Sequence, residues 1–312
     1  MKAKRIGEGP LITPQTASSI GENINGPTLL KVPGWVKNPL GKYYLYFAHH
    51  RGTFIRLAYS DHIDGPYTVY EPGVLDLASC PHLYQDPAGG LGHVASPEIL
   101  VDEQKQRIIL YYHGCRRNAQ TLRDQASFAA ISEDGINFDA SCADEYGYIY
   151  LRAFRHKGYV YTMDMKGTLR RSPDGMAPME TGINIFGTDD VYHREFDVRH
   201  FCFLKKTEEL MYVMFSIRGS CPESLCFSTI NIGDDWTKWH FNGYETVMQP
   251  EKDYEGVQYP LEKSVWGDQV NVRQLRDPFM YEEDGRTYVF YTVAGECGIA
   301  LAELLDSPDM EE

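Results

Sequence analysis

The sequence lacks the features of a membrane protein or a nucleic-acid-binding protein. No stretch approaches the roughly 18 consecutive apolar residues of a membrane-spanning helix. The formal net charge of −14 would repel the phosphates of a nucleic acid, and no block of Lys or Arg residues provides a separate basic surface. The first residues lead into Gly, Glu and Pro instead of an apolar signal segment. Membrane insertion, export and a nucleic-acid partner are therefore not expected.

The cysteines follow no metal-binding spacing. The seven cysteines are odd in number, widely scattered and contain no C-x-x-C pair, so neither a zinc site nor a disulfide framework is expected. Cys202 in HFCFL and Cys226 in SLCFST lie in apolar runs, where a free thiol behaves as a small hydrophobe. This usage predicts a reducing, cytoplasmic location. No feature of the sequence specifies an oligomeric state.

Long helical periodicity is also missing, whereas strand-forming residues are abundant. Aromatic residues make up 13% of the chain, led by 22 tyrosines, and such side chains fit a pleated, half-buried surface. The hydrophobic content of 43% and the charged content of 24% are typical of a soluble globular protein. We expect an all-β fold that forms one domain over residues 1–312.

A unit of strand, turn, strand and third strand recurs five times along the chain. The last copy reads QLRDPFMYEEDGRTYVFYTVAGECGIALAEL, with Asp284-Gly285 as its hairpin turn. The earlier copies begin with NGPTLLKV and at His93, Ile149 and Val198. Five similar meanders predict a five-bladed β-propeller, with a β-sandwich as the alternative.

Charged and polar residues stand where the five units begin. The first strand of each blade lines the channel of a propeller, so residues at the blade starts converge on the axis. These residues are Asn25, Glu98, Arg152, Arg199, His200, Arg276 and Asp277. Because unpaired charges are costly in an interior, their concentration predicts a binding site at the axis.

Three features resemble the five-bladed propeller glycoside hydrolases of families 43, 32 and 117. They are the five-unit order, SPE at the second blade start, and LRDP before YEEDGRTYVFY, and together they span nearly the whole chain. The resemblance implies a glycosidase whose acidic residues at the blade starts surround the scissile bond of a small carbohydrate. No cofactor is expected: some related enzymes hold a divalent cation near the axis, but no dedicated ligand spacing occurs here.

Glycosidic cleavage needs one protonated acid and one carboxylate that activates water or attacks the sugar. Burial in an apolar strand would raise the pKa of Glu98, while the adjacent Arg276 would favour ionised Asp277. We assign Glu98 as the acid and Asp277 as the base or pKa modulator. Glu255 is a third catalytic candidate, because its loop leads into the last inner strand.

Two positions depart from family 43. That family usually has an Asp where this chain has Asn25, and a catalytic Glu where it has Arg152. The alternatives are therefore a carbohydrate-binding propeller without catalysis and a scaffold whose axial charges pair with one another.

The other candidates would contact the substrate. The three axial arginines suit a uronic acid or sulfate, unless they pair with internal carboxylates, and Trp266 could stack on a sugar face. For each histidine and loop acid, a structural or solvent-exposed role is the alternative. The predicted substrate-binding residues are Asn25, His49, His50, Arg51, His93, Arg152, Arg199, His200, Glu223, Trp266, Arg276 and Glu296. The sequence thus predicts a glycoside hydrolase for short oligosaccharides, with anionic ones among the candidates.

Overall fold

The computed structural model describes residues 1–187 and 197–305; residues 188–196 and 306–312 lie outside this description. Within the described ranges the chain is built from β-strands and short 3₁₀ turns. The strands are β1 (Lys2–Ile6), β2 (Asn25–Lys31), β3 (Tyr43–Ala48), β4 (Phe54–Ser60), β5 (Thr68–Asp76), β6 (Ala95–Asp102), β7 (Arg107–Cys115), β8 (Gln125–Ser132), β9 (Arg152–His156), β10 (Tyr159–Met163), β11 (Thr168–Ser172), β12 (Glu180–Asn184), β13 (Asp197–Lys205), β14 (Leu210–Arg218), β15 (Leu225–Asn231), β16 (Glu245–Met248), β17 (Arg276–Glu283), β18 (Arg286–Thr292) and β19 (Ile299–Leu305). The 3₁₀ turns span Ser18–Ile20, Leu77–Ser79, Ala88–Gly90, Trp236–Lys238 and Asp253–Glu255.

The strands form five antiparallel sheets. In order from the inner strand outwards, they are β2-β3-β4-β5, β6-β7-β8, β9-β10-β11-β12, β13-β14-β15-β16 and β17-β18-β19-β1. Among the described residues, four sheets therefore carry a fourth strand that the repeat did not predict. The inner strands contact one another in a closed ring, β2 with β6, then β9, β13, β17 and back to β2. This ring confirms the predicted five-bladed β-propeller.

The N-terminal strand closes the ring. β1 pairs antiparallel with β19, so the first residues of the chain supply the outer strand of the last blade. The Arg5 guanidinium donates to both carboxylate oxygens of Glu255, at 2.7 and 2.8 Å, and fastens this strand to the segment that precedes the last blade. The two ends of the described chain thus share one sheet.

The hydrophobic core is divided into layers between neighbouring blades. In β7, Ile108, Leu110 and Tyr112 pack towards the first blade, whereas Ile109 and Tyr111 pack towards the third. Successive side chains of a strand point to opposite faces, so a continuous apolar run fills two layers at once. This arrangement explains why the middle strands are apolar throughout instead of alternating with polar residues.

Three inner strands begin with the same backbone irregularity. Gly26, Ser96 and Asp277 have positive φ angles of 59°, 51° and 46°, each precedes a proline, and each lies where the pairing register shifts. Such bulges bend a strand and redirect its side chains, and positive φ is unfavourable for Ser and Asp. The backbone is therefore strained where β6 and β17 begin, close to the axis, and such strain is typical of functional sites.

No helix among the described residues is long and apolar enough to cross a membrane. The seven cysteines are free thiols. The prediction that residues 1–312 form a single domain extends over the segments outside the description and stays a prediction.

Candidate functional site

A cavity of about 370 Å³ opens at the axis, where the starts of the inner strands meet. Its volume is at the small end of the range for ligand pockets. Eight of the predicted residues line it: Asn25, His50, Arg51, His93, Arg199, His200, Trp266 and Glu296. The other predicted residues lie behind its wall or away from it.

His200 lines the pocket and is in close contact with a buried carboxylate, that of Asp277. Its Nδ1 lies 2.6 Å from Oδ1 of Asp277, and both side chains are buried. Burial alone would raise the pKa of Asp277, but the His200 imidazole, followed by Arg276, holds it below its usual value. With Nδ1 turned to Asp277, Nε2 is the ring nitrogen left to meet a substrate. An imidazole that a carboxylate orients in this way is suited to proton transfer.

Tyr150 packs on the other side of His200 and was missed by the sequence interpretation. Its ring centroid lies 4.4 Å from that of His200 and 5.2 Å from that of His113, and its φ is 54°. Burial raises the pKa of its phenol, as do the charges of Asp277 and Glu296. Positive φ in a bulky residue two positions before β9 is the structural signal of its role, and spacing in the sequence does not reveal it.

Two further histidines form the wall contributed by the second blade. His93 contacts the carbonyl oxygens of Gly90 and Leu91 through Nδ1 and the Gln125 side chain through Nε2, at 3.0–3.1 Å. Burial lowers the pKa of His93, and it lowers that of His113 more strongly. His113 is not among the residues that the sequence predicts for the site. Both rings therefore suit the neutral form, in which imidazole both donates and accepts hydrogen bonds.

Glu296 is the carboxylate that lines the pocket. Its Oε2 accepts hydrogen bonds from the amides of Asn23 at 2.6 Å and Asn25 at 3.1 Å, and its Oε1 accepts from Arg276 at 3.1 Å. Nδ1 of His50 lies 3.7 Å from Oε2. Asn25 therefore helps to hold a carboxylate that comes from the last blade. Asn23, two residues earlier, was not predicted.

The axial arginines are paired with carboxylates. Nε of Arg276 lies 3.1 Å and Nη1 of Arg199 lies 3.4 Å from Oε2 of Glu223, which is fully buried and accepts from Ser216. Both guanidinium groups also reach the loop above them: Arg199 contacts the Val265 carbonyl, and Arg276 donates at 3.5 Å to that of Gly267. These contacts favour the internal-pairing interpretation of the arginines over direct binding of an anion.

The loop held by these arginines carries Trp266 to the pocket rim. The indole is 41% exposed, and the Arg218 guanidinium lies 3.7 Å from its ring centroid. Arg218 in turn pairs with Asp197. One side chain thus supports the aromatic surface at the rim, where an exposed indole can stack on a sugar.

Glu98 and Arg152 form a buried ion pair that does not line the pocket. Arg152 Nη1 lies 2.9 Å from Glu98 Oε2, and the other Glu98 oxygen accepts from the Ala153 amide. Burial raises the pKa of Glu98, against the effects of Arg152 and the amide. A raised pKa of Glu98 is what the sequence predicts. In the structure, however, the Glu98 carboxylate is paired with Arg152 and does not line the cavity. Its catalytic role stays a prediction.

Glu255 and His49 lie outside the pocket lining. Glu255 is fully buried and binds Arg5, and its Oε1 also accepts from the Tyr291 hydroxyl at 2.9 Å. These contacts place it in the closure of the ring and give no support to a catalytic role. His49 Nδ1 accepts from the Arg51 amide at 3.2 Å, and burial lowers its pKa. His49 therefore supports the turn that presents His50 and Arg51.

No group of three or more His, Cys, Asp or Glu side chains in residues 1–187 and 197–305 is arranged to hold a metal ion.

Solved structures with the same fold are carbohydrate-active enzymes. A family 43 β-xylosidase/α-arabinofuranosidase from a compost metagenome, in complex with xylotriose, has a TM-score of 0.62 at 14% identity and covers 98% of this chain and 96% of its own. An N-acetylgalactosamine deacetylase from F. plautii, in complex with blood group B trisaccharide, has a TM-score of 0.63 at 12% identity, covering 99% and 100%. A family 43 enzyme from Xanthomonas citri, in complex with xylose, has a TM-score of 0.62 at 13% identity, covering 97% and 91%. The fold is that of the five-bladed propeller glycosidases.

A closer relative is known by sequence. The Uncharacterized protein R118 of Acanthamoeba polyphaga mimivirus is 36% identical over 302 residues, which cover 90% of this chain and 83% of the relative. The chain belongs to the same family as this mimivirus protein. No protein-family profile matches it.

Proposed function

We propose that the protein is a glycoside hydrolase that acts on a short oligosaccharide in the axial pocket. The observation that carries the proposal is that His200, with the buried Asp277 behind it, lines a pocket that also holds the Glu296 carboxylate. The neighbouring folds belong to enzymes whose substrates or bound ligands are carbohydrates, including family 43 glycosidases. The exposed indole of Trp266 at the rim adds a surface of the kind that sugars stack on.

The proposed chemistry divides proton transfer between His200 and Glu296. Protonated His200 donates a proton to the glycosidic oxygen as the bond to the anomeric carbon breaks. Glu296 accepts a proton from the water whose oxygen forms the new bond to that carbon. Asp277 stays ionised and holds the imidazole in place. In this scheme Asp277 is a positioning residue, and the predicted pair of Glu98 and Asp277 is replaced by a histidine and a different carboxylate.

The decisive experiment is hydrolysis of neutral and anionic oligosaccharides of two to four units by the wild type and by His200→Gln and Glu296→Gln. We expect turnover by the wild type and a loss of kcat of about 10²–10⁴-fold in each variant, the usual contribution of general acid–base catalysis. His62→Gln, at an exposed histidine, is the matched control. Wild-type kcat in both pocket variants would contradict the assigned chemistry.

A carbohydrate-binding propeller without turnover is the second candidate. It is favoured by the burial of Glu98 and Asp277 in internal pairs, away from direct contact with the cavity. Binding of the same oligosaccharides, measured by calorimetry, distinguishes the candidates: saturable binding with no hydrolysis by the wild type selects this one. A cytoplasmic location remains a prediction from the cysteine pattern.

A further inference from the structure

A second, open groove lies beside the axial pocket on the third blade. Its volume is about 550 Å³, and Tyr148 belongs to the walls of both cavities. The groove is lined by the segment after β8, by the turn between β10 and β11, and by β12. Because the Tyr148 side chain borders both spaces, the groove lies directly next to the axial pocket.

Among the charged groups of the groove that the structure describes, all but one are paired with another described residue. Arg116 contacts both oxygens of Glu145, at 2.6 and 2.7 Å, and Arg170 lies 2.8 Å from Asp164. Lys166 has no carboxylate partner among residues 1–187 and 197–305. Its Nζ lies 4.7 Å from the centroid of the Tyr148 ring. Within the described part of the chain, the groove therefore offers the Lys166 ammonium without a carboxylate partner, beside an aromatic ring, in a protein whose net charge is −14.

The backbone that carries Lys166 is fixed before any ligand arrives. Asp164 Oδ1 accepts from the Lys166 amide at 3.0 Å, and Asp164 Oδ2 accepts from the Tyr148 amide at 2.9 Å. The Asn184 side chain donates to the Lys166 carbonyl at 3.0 Å. One buried carboxylate thus sets the spacing between the lysine and the tyrosine, which reduces the conformational entropy lost on binding.

We propose that this groove binds the continuation of the oligosaccharide whose end occupies the axial pocket, and that the sugar in the groove carries a carboxylate or sulfate recognised by Lys166. The proposal rests on the proposed function for the identity of the chain molecule. It assigns anion recognition to the groove, because two of the axial arginines, Arg199 and Arg276, are already paired with Glu223 and Glu296, and the third is paired with Glu98. The Tyr148 ring lies next to Lys166 in the wall of the groove.

Binding of defined trisaccharides tests the proposal without requiring turnover. The probes are trigalacturonate, a sulfated galactose trisaccharide and the neutral xylotriose, titrated calorimetrically into the His200→Gln protein at low salt. We expect at least one anionic probe to bind more tightly than xylotriose. Lys166→Gln on the same background should weaken that probe by about fivefold, the upper range for a partly exposed ion pair, and should change the affinity for xylotriose less.

Two further variants separate charge from position. Lys238→Gln removes the same charge from an exposed site and should leave all affinities at the level of the background protein. Thr181→Phe places a bulky side chain at an exposed groove position and should weaken every trisaccharide that enters it. The carboxylate and sulfate probes show which anionic group is preferred.

Each outcome decides the proposal. Equal affinity of the anionic and neutral probes, no binding of any of them, or an unchanged preference in Lys166→Gln would overturn it. If the wild type hydrolyses an oligosaccharide and any of these results is found, the proposed hydrolase function is retained and only the proposed role of the groove is rejected. If an anionic probe binds in a Lys166-dependent way and the wild type hydrolyses no substrate, the proposed role of the groove is retained and the hydrolase function is rejected.

Discussion

His200 and Asp277 come from the inner strands of adjacent blades, yet the Nδ1 and Oδ1 atoms of their side chains lie 2.6 Å apart. The contact depends on the bulge at the start of β17, where Asp277 adopts a φ of 46°. Unfavourable backbone geometry at a buried carboxylate persists only where the surrounding structure imposes it. The pair therefore links the strain at the blade start to the chemistry of the pocket.

Asp277→Asn should lower kcat with little change in KM. Asparagine is nearly isosteric, but it removes the charge that orients and stabilises protonated His200, so we expect a loss of about 10²-fold or more in kcat. Steady-state kinetics on the best substrate from the screen measures it. Thr292→Val, which removes the hydroxyl near the other Asp277 oxygen at 3.4 Å, is the milder control. Full activity in Asp277→Asn would rule out the positioning role.

Glu255 and Glu251 provide a matched test of ring closure, because both contact Arg5. Glu255 is fully buried, whereas the Glu251 side chain is 64% exposed. Glu255→Gln leaves a largely buried guanidinium with only the exposed Glu251 as its charge partner and should lower the free energy of unfolding by about 3 kcal/mol. Glu251→Gln should cost at most about 1 kcal/mol. Urea unfolding compares the two.

The same variants separate structural from catalytic roles for Glu255. Under native conditions, folded Glu255→Gln should keep the wild-type kcat, because its carboxylate does not reach the pocket. A large fall in kcat with an unchanged free energy of unfolding would restore the catalytic prediction made from the sequence.

The repeat predicted the architecture because each blade is encoded locally. Hairpins such as the one at Asp284-Gly285 need only neighbouring residues, and the polar residues at the blade starts are visible as interruptions of apolar strands. The fourth strands were harder to predict: β1 joins a sheet formed by the other end of the chain, so no local pattern marks it as part of a blade.

The pairings within the site could not be predicted from the sequence. Glu98, Glu223 and Glu296 look equivalent as acids near strand ends, but only contacts between blades decide which one meets the cavity. Glu98 faces Arg152 of the next blade, while Glu296 turns to Asn23 and Asn25. Tyr150 is distinguished by its backbone angle and its neighbours, neither of which is a property of the sequence pattern.

The Glu98–Arg152 pair should contribute to stability more than to turnover. Glu98→Gln leaves Arg152, which is 2% exposed, with an uncompensated charge, and should lower the free energy of unfolding by about 3 kcal/mol. Glu103→Gln, at an exposed residue near the end of the same hairpin, should change it by about 0.5 kcal/mol or less. A fall in kcat of about 10²-fold with unchanged stability would support Glu98 as the acid instead.

Stability should fall between pH 7 and pH 5, in part because of His113. Its pKa is well below the ordinary value of about 6.5, since burial disfavours the charged ring and the neighbouring His93 and His50 add to this effect. As the pH falls, His113 therefore takes up a proton in the unfolded chain before it does so in the folded protein. The stability that His113 contributes above pH 6.5 is lost as the pH falls towards its pKa in the folded protein.

The expected size of this effect is about 2 kcal/mol between pH 7 and pH 5 for a single histidine that stays neutral in the folded state. Chemical unfolding at several pH values should show a shallower dependence in His113→Gln by that amount, whatever the variant does to stability at pH 7. The exposed His62→Gln variant controls for the loss of one imidazole. Identical slopes of the free energy of unfolding against pH in the wild type and His113→Gln would mean that His113 takes up its proton in the folded protein as readily as in the unfolded chain. The interpretation of His113 as a neutral residue of the pocket wall would then be wrong.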